Sequence, residues 1–219
     1  VKVSYLTAAD ENILTSPNLI QTNSVIIELL RRKVLDKDIN VDDLVSDDRQ
    51  AILIFLRNTA FGSEYNLIAT DPKTGEDFNF TYDLSTLNIK DFTLVPDVNG
   101  EYAFTFPQTK IDITFKFLTQ KQLDEIEKIK ESWNGVGVAP LRTKELEFMI
   151  KSVKGIKDPL QIKNFIENLP IADSHSFRKY ITEHKPGIDL FVPATTPSGE
   201  EIQVNLGFGV EFFLPFYGI

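Results

Sequence analysis

Ala69-Thr70-Asp71-Pro72-Lys73-Thr74-Gly75-Glu76 and Ala194-Thr195-Thr196-Pro197-Ser198-Gly199-Glu200 decide how this chain is read. A zinc knuckle sets two cysteines around a Pro-x bend followed by glycine, because two thiolates must converge on one ion from a tight turn. Pro72 with Gly75, and Pro197 with Gly199, keep that turn chemistry. The ligand places hold Asp71 and Thr74 in the first copy and hydroxyls in the second. With no cysteine in the chain, thiolate metal sites, disulfides and thiol nucleophiles are excluded. The two bends therefore read as metal-free, zinc-ribbon-like hairpins used as architecture.

Strand patterns flank both bends. Glu64–Thr70 and Phe78–Leu84 bracket the first, while Ile188–Val192 and Glu201–Leu206 bracket the second. The echo predicts that the hairpins 64–84 and 188–206 meet in space. Between them, Tyr102, Phe104 and Phe106, then Ile111, Ile113, Phe115 and Phe117, alternate at period two, as half-buried antiparallel strands do. Asn99-Gly100 reads as a two-residue hairpin turn, and Pro107 as a strand end. A last strand is expected at Val210–Leu214.

Helical spacing fills the remainder. Residues 1–21 read as a short strand at Val3–Leu6 followed by an irregular or partly helical arm. Val25, Ile26, Leu29, Leu30 and Val34 make a stripe that ends in Arg31, Arg32 and Lys33, where cations complement the helix dipole. Ser46, with Asp47 and Asp48 in the first turn, opens a helix to about Phe61 before Gly62. Its run Ala51-Ile52-Leu53-Ile54-Phe55-Leu56 is apolar nearly all round, the pattern of a centrally buried helix. Thr119 with Gln122 forms a capping box, a helix follows Thr143 until Gly155, and Asp158-Pro159 caps another. The last helix spans about Ser174–His184. The fold class is therefore α+β: an antiparallel β module with an inserted helical subdomain. Residues 1–118 plus 186–219 carry the arm, two helices and the β module, and 119–185 the helical part.

Composition limits function. The 219 residues, 42% hydrophobic and 25% charged, suit an ordinary folded protein of one or two domains. A net charge of −9 opposes nucleic-acid binding, which needs a basic face. No window approaches the ~20 apolar residues of a membrane span, and nothing at the N-terminus marks export. Seventeen Phe against one Trp demand extensive burial, in cores or between subunits.

Catalytic chemistry is poorly represented. Ser174 and His175 are helical neighbours that diverge by roughly 100° and cannot serve as nucleophile and base. Asp173 or Ser174 reads instead as a helix cap, and His184 as a dipole partner. Asp42, Asp43, Asp47 and Asp48 lack the glycine and closing glutamate of a calcium loop. Gly135-Val136-Gly137 lacks the rest of a nucleotide-binding motif and reads as a joint. Arg49 and Arg57, eight residues apart on one helix, call for acid partners such as Asp47 or Asp83 in structural ion pairs. No cofactor is expected.

Several segments resemble a known family in matching order. Tyr5-Leu6-Thr7-Ala8-Ala9-Asp10-Glu11-Asn12-Ile13-Leu14, then Asp47-Asp48-Arg49-Gln50-Ala51-Ile52-Leu53 on through Gly62-Ser63-Glu64-Tyr65, are similar to baseplate hub assembly proteins of T4-type tailed phages. Ile171-Ala172-Asp173-Ser174, Phe177-Arg178-Lys179-Tyr180-Ile181 and Val210-Glu211-Phe212-Phe213 extend the likeness. Members often carry Cys-Pro-x-Cys-Gly at the two hairpins; this chain departs there, so zinc does not carry over. The resemblance implies a non-enzymatic component of a contractile tail baseplate, found in the virion and assembled in the host cytoplasm. Its partners would be other baseplate or tail proteins, with a homo-oligomer left open. A transient tail-assembly chaperone is the alternative, and a hydrolase using His175 or the acidic cluster a weaker one. Contact surfaces are expected on the arm at Leu6, Asp10, Leu14 and Leu19, and in the aromatic C-terminal segment at Phe208, Phe216 and Tyr217.

Overall fold

A computed structural model describes residues 1–133 and 137–213. The chain divides into two compact units, Val1–Lys90 with Gly187–Ile219, and Asp91–Pro186.

The first unit opens with helices α1 (Ala8–Leu14), α2 (Pro17–Gln21), α3 (Val25–Lys33) and α4 (Ser46–Phe61). The strand expected at Val3–Leu6 is reduced to one bridge, Val3 opposite Val34. Helix α3 turns Val25, Ile26, Leu29 and Leu30 inward, each such burial contributing about 1.5–3 kcal/mol. Helix α4 has the expected bounds and stops at Gly62, whose φ of 81° is a conformation glycine adopts without a Cβ clash. It is not buried all round, because Ile52, Leu53, Ile54 and Leu56 saturate the core while Ala51 and Phe55 remain exposed. Strands β1 (Glu64–Thr70) and β2 (Asp77–Asp83) form the first hairpin, with Leu67 opposite Phe80, and β3 (Ile89–Lys90) closes this half.

The second unit contains β4 (Tyr102–Thr105), β5 (Asp112–Phe115), α5 (Gln120–Ser132), α6 (Leu141–Met149), β6 (Ile150–Val153), α7 (Pro159–Glu167) and α8 (Ile171–His184). The helix expected to run to Gly155 ends at Met149. Residues 150–153 switch to a third strand, giving a β4-β5-β6 sheet. Asn99-Gly100 does not join two strands either. Only Gly100 takes positive φ, and the Asp97 carboxylate closes the bend by accepting the N–H groups of Asn99 and Glu101. Phe106, Phe115 and Phe177 fill the core of this unit with edge-to-face aromatic pairs. The Thr119–Gln122 capping box and the Asp158 cap are both present.

The chain then re-enters the first unit through β7 (Gly187–Ile188), β8 (Phe191–Thr195) and β9 (Glu201–Asn205). Strand β7 pairs with β3, and β8 with β9 in the second hairpin. The two hairpins remain separate two-stranded sheets. The strand expected at Val210–Leu214 is a 3-10 turn over Val210–Phe212. Phe212 and Phe213 are both fully buried, and neighbouring strand residues, which point to opposite faces, would not both reach one core. The expected contacts of Phe216 and Tyr217, and the Gly135-Val136 part of the predicted joint, lie outside the described residues.

Candidate docking surface

The hairpin tips meet. Asp71 Oδ2 accepts the main-chain N–H of Ser198 at 3.1 Å, and Oδ1 accepts the Ser198 hydroxyl at 3.1 Å. Asp71 also closes its own bend, taking the Lys73 N–H on Oδ1 at 2.9 Å. Because an ionised carboxylate only accepts, the Ser198 hydroxyl proton points at Asp71. The Thr196 hydroxyl, 3.0 Å from that of Ser198, then donates in turn. Burial pushes the Asp71 carboxyl up, but the Lys73 N–H, the Ser198 hydroxyl and N–H and the Thr74 N–H outweigh it, leaving the pKa below the ordinary range. Gly75 and Gly199, with φ of 74° and 86°, complete the two bends, which also contain Pro72 and Pro197.

Zinc is held by thiolate, imidazole or carboxylate groups. Between Asp71–Gly75 and Thr196–Gly199 the turns offer one carboxylate, already saturated with N–H and O–H donors, and the hydroxyls of Thr74, Thr196 and Ser198, so they do not fit a zinc ion. Among the described residues no three His, Asp or Glu side chains gather as a metal set.

The N-terminal arm is clamped at its base. Asp10 is buried in α1, where it accepts the N–H of Thr7 at 2.7 Å, pairs with Lys33 and meets Arg32 Nε at 2.9 Å. Burial raises its pKa, and Lys33 and Thr7 more than reverse that, leaving it below the ordinary value. Lys33 also donates to the Tyr5 carbonyl at 3.0 Å. Leu14 lies in the core, with Leu6 and Leu19 half-buried against it. Asp10 and Leu14 thus face their own fold and position the arm rather than meeting solvent. What the arm does expose is Tyr5, 65% accessible, stacked on Phe55, itself 42% accessible.

The histidines do not build a catalytic site. His175 is exposed on α8 beside Arg178, Lys179, Thr182 and Glu183. His184 stacks on Tyr180, and its Nδ1 lies 2.9 Å from that residue's carbonyl. Neither Asp173 nor Ser174 caps α8, which starts three residues earlier than expected at Ile171, after Pro170, and places both within its first turns; Asp173 is buried there. Its carboxylate instead accepts the N–H groups of Gln108 and Thr109 at 2.8 and 2.9 Å, holding the β4–β5 turn. Sequence spacing gave no sign of that partnership.

The family model for T4 bacteriophage base plate protein matches residues 1–214. The chain belongs to the T4 bacteriophage base plate protein family. No curated protein matches it, and no solved structure matches it. Membership makes it a structural component of the phage tail baseplate, with other tail proteins as partners. Among the described residues no helix is long and apolar enough to cross a membrane.

In this base plate protein the remaining expected residues are placed as follows. Arg57 is 2% exposed and finds no acid within ion-pair distance among the described residues. Its guanidinium donates to the carbonyls of Gly62 at 2.8 Å and Glu64 at 3.0 Å, lying over the rings of Phe61 and Tyr65. Carbonyl dipoles and ring faces here replace the expected ion pair, and burial lowers the arginine pKa. Asp47 lies against Gly187, where an added Cβ would sit 2.5 Å from its Oδ1. Arg49 lines an open cleft with Ile20, Val25, Ile26, Phe208 and Glu211. Phe208 packs edge-on against Phe212. The Tyr5–Phe55 pair was not foreseen. Its available signal was an excess: the run Ala51–Leu56 has more apolar positions than one buried helix face can use.

Proposed function

We propose that this base plate protein works in the hub region of a contractile tail as a structural and assembly component, through protein–protein contacts. The observation that carries this reading is the arm, fixed at its base by Asp10 yet holding Tyr5 and Phe55 stacked in solvent. Rigid, exposed aromatics lose little conformational freedom on binding and make strong interface anchors. Leu6, Leu19 and Phe208, half-buried at the surface, together with Phe216 and Tyr217, complete the proposed contact set. The hairpin pair serves as a metal-free counterpart of a zinc ribbon, with the Asp71 hydrogen bonds in place of an ion. Cross-linking mass spectrometry on purified tails tests the assignment. Stoichiometric chain cross-linked to central, axial proteins is the expected result. Cross-links confined to the baseplate periphery, or absence of the chain from finished particles, overturn it.

A further inference from the structure

The Asn99-Gly100 bend places a nucleophile and an electrophile in adjacent residues. In an Asn-Gly pair the glycine main-chain nitrogen can attack the asparagine side-chain carbonyl, because no Cβ on glycine hinders closure of the five-membered ring. Both residues are exposed, so the side chain has room to turn and water reaches the product. Two groups placed by the fold act on this reaction in opposite senses. The Gly100 N–H is donated to the Asp97 carbonyl at 3.0 Å, and the Asp97 carboxylate accepts the N–H groups of Asn99 and Glu101, each at 2.8 Å. Attack requires the first of these bonds to open, and the Asp97 charge opposes the negative charge that grows on the nitrogen. Lys116, directly after β5, has the contrary effect. Its Nζ is 3.8 Å from the point where a Cβ on Gly100 would sit. An ammonium that close favours the anionic nitrogen and the oxyanion that follows from its attack.

We propose that Asn99 is a self-modifying position, whose conversion to isoaspartate is promoted by Lys116 and restrained by Asp97. The bond that forms joins Gly100 N to Asn99 Cγ. The bond that breaks is Cγ–Nδ2, and the side-chain nitrogen leaves as ammonia with the proton from Gly100. The product is a cyclic imide. Water, the one co-reactant, then adds to either imide carbonyl. Opening at Cγ leaves aspartate at position 99, whereas opening at the main-chain carbonyl leaves isoaspartate, with the chain running through Cβ and Cγ. The isoaspartate form lengthens the main chain by a methylene and sets a free carboxylate beside that of Asp97. Glu101 transmits the change. It donates its N–H to the Asp97 carboxylate and accepts the Asp97 N–H, while its side chain accepts the Thr114 hydroxyl at 2.7 Å and pairs with Lys157 at 3.0 Å. Modification of the bend therefore loosens the hold of Glu101 on β5.

The test ages the whole chain in mildly alkaline buffer and quantifies isoaspartate by peptide mapping with mass spectrometry. The chain's other Asn-Gly pair, Asn134-Gly135, lies outside the described residues and is the reference in the same digest. Isoaspartate should accumulate at position 99. It should form about two- to fivefold more slowly in Lys116→Gln and at least about fivefold faster in Asp97→Ala, with the rate at Asn134 unchanged in both. Asp97, Asn99 and Lys116 are all exposed, and an unchanged circular dichroism spectrum verifies folding. Hydrogen exchange over residues 112–115 should quicken in aged wild-type chain and not in aged Asn99→Gln, whose longer side chain closes its ring far more slowly. Equal rates at Asn99 in wild type and Lys116→Gln overturn the role of the ammonium, as does a change of the same size at Asn134. An Asn99 that stays intact while Asn134 converts overturns the site itself. Unchanged exchange over residues 112–115 in fully converted chain overturns the coupling through Glu101.

Discussion

Asp71 accepts both the main-chain N–H and the hydroxyl of Ser198, a residue 127 positions further along the chain. One carboxylate thereby joins two hairpins that share no strand pairing. The donors are neutral groups held by tight bends, so the junction depends on geometry and ionisation rather than on a captured ion.

Removing either side of this junction should loosen both hairpins together. Asp71→Ala strands the N–H groups of Lys73 and Ser198, and Ser198→Ala removes the hydroxyl bond. Each should lower the thermal midpoint by about 3–6 °C. In a double-substitution cycle the two effects should be distinctly less than additive. Strict additivity, or amide exchange that rises in one hairpin only, would contradict a shared junction.

Acid should weaken the fold, and the sign follows from the shifts. Asp10, Asp71 and Asp173 all have folded pKa values below their ordinary ones. Each contributes stability that is complete above the unfolded pKa of about 4 and is lost as pH falls through the folded value. Urea midpoints measured from pH 6 to 2.5 should be flat at first and then drop steeply. Asp71→Asn should flatten that drop; an unchanged profile would show that this carboxylate is not among those responsible.

Arg57→Ala should cost about 2–4 kcal/mol, because it leaves a cavity and strips a donor from the carbonyls of Gly62 and Glu64. Arg57→Lys should recover part of this, since an ammonium can reach a carbonyl but lacks the planar fork that spans two. Chemical denaturation measures both. A lysine variant as stable as wild type would mean that charge alone matters at this position.

Asp173→Ala should act in the other unit. Losing the acceptor for Gln108 and Thr109 leaves two N–H groups of a partly exposed turn without their protein partner, at about 1–2 kcal/mol. Hydrogen exchange followed by mass spectrometry should quicken over residues 106–111 and remain unchanged in the hairpins at 64–83 and 191–205. Equal deprotection of both regions would be the contrary result.

Local chemistry was legible from sequence at most places where it completed itself within a few residues, the Asn99-Gly100 bend being the exception. Ser46 to Gly62, the Thr119–Gln122 box and the Asp158-Pro159 start are all found in place because capping and φ requirements are settled within one turn. The meeting of the hairpins was legible through a repeated bend, although Asp71 as the joining group was not. Misreadings arose where a distant partner decides the outcome. Residues 150–153 follow helical spacing, yet the open edge of β5 recruits them as a strand. Phe212 and Phe213 suggest a strand by composition, but the core of their unit takes both rings at once. Arg57 suggested an acid partner, and the turn after its own helix supplies carbonyls instead.

The Ile89–Ile188 and Lys90–Gly187 pairing has a consequence for biosynthesis. On the ribosome the first ninety residues emerge without Val192, Leu206, Phe212 or Phe213, all of which belong to their core. At ~5–20 residues per second, translation of the intervening segment imposes a delay on the order of ten seconds. During that interval the nascent N-terminal part carries unburied apolar surface while the later-made segment, whose own core is continuous in the chain, is free to fold first. A translation arrest after residue 186 would therefore release a product with one finished half and one sticky half.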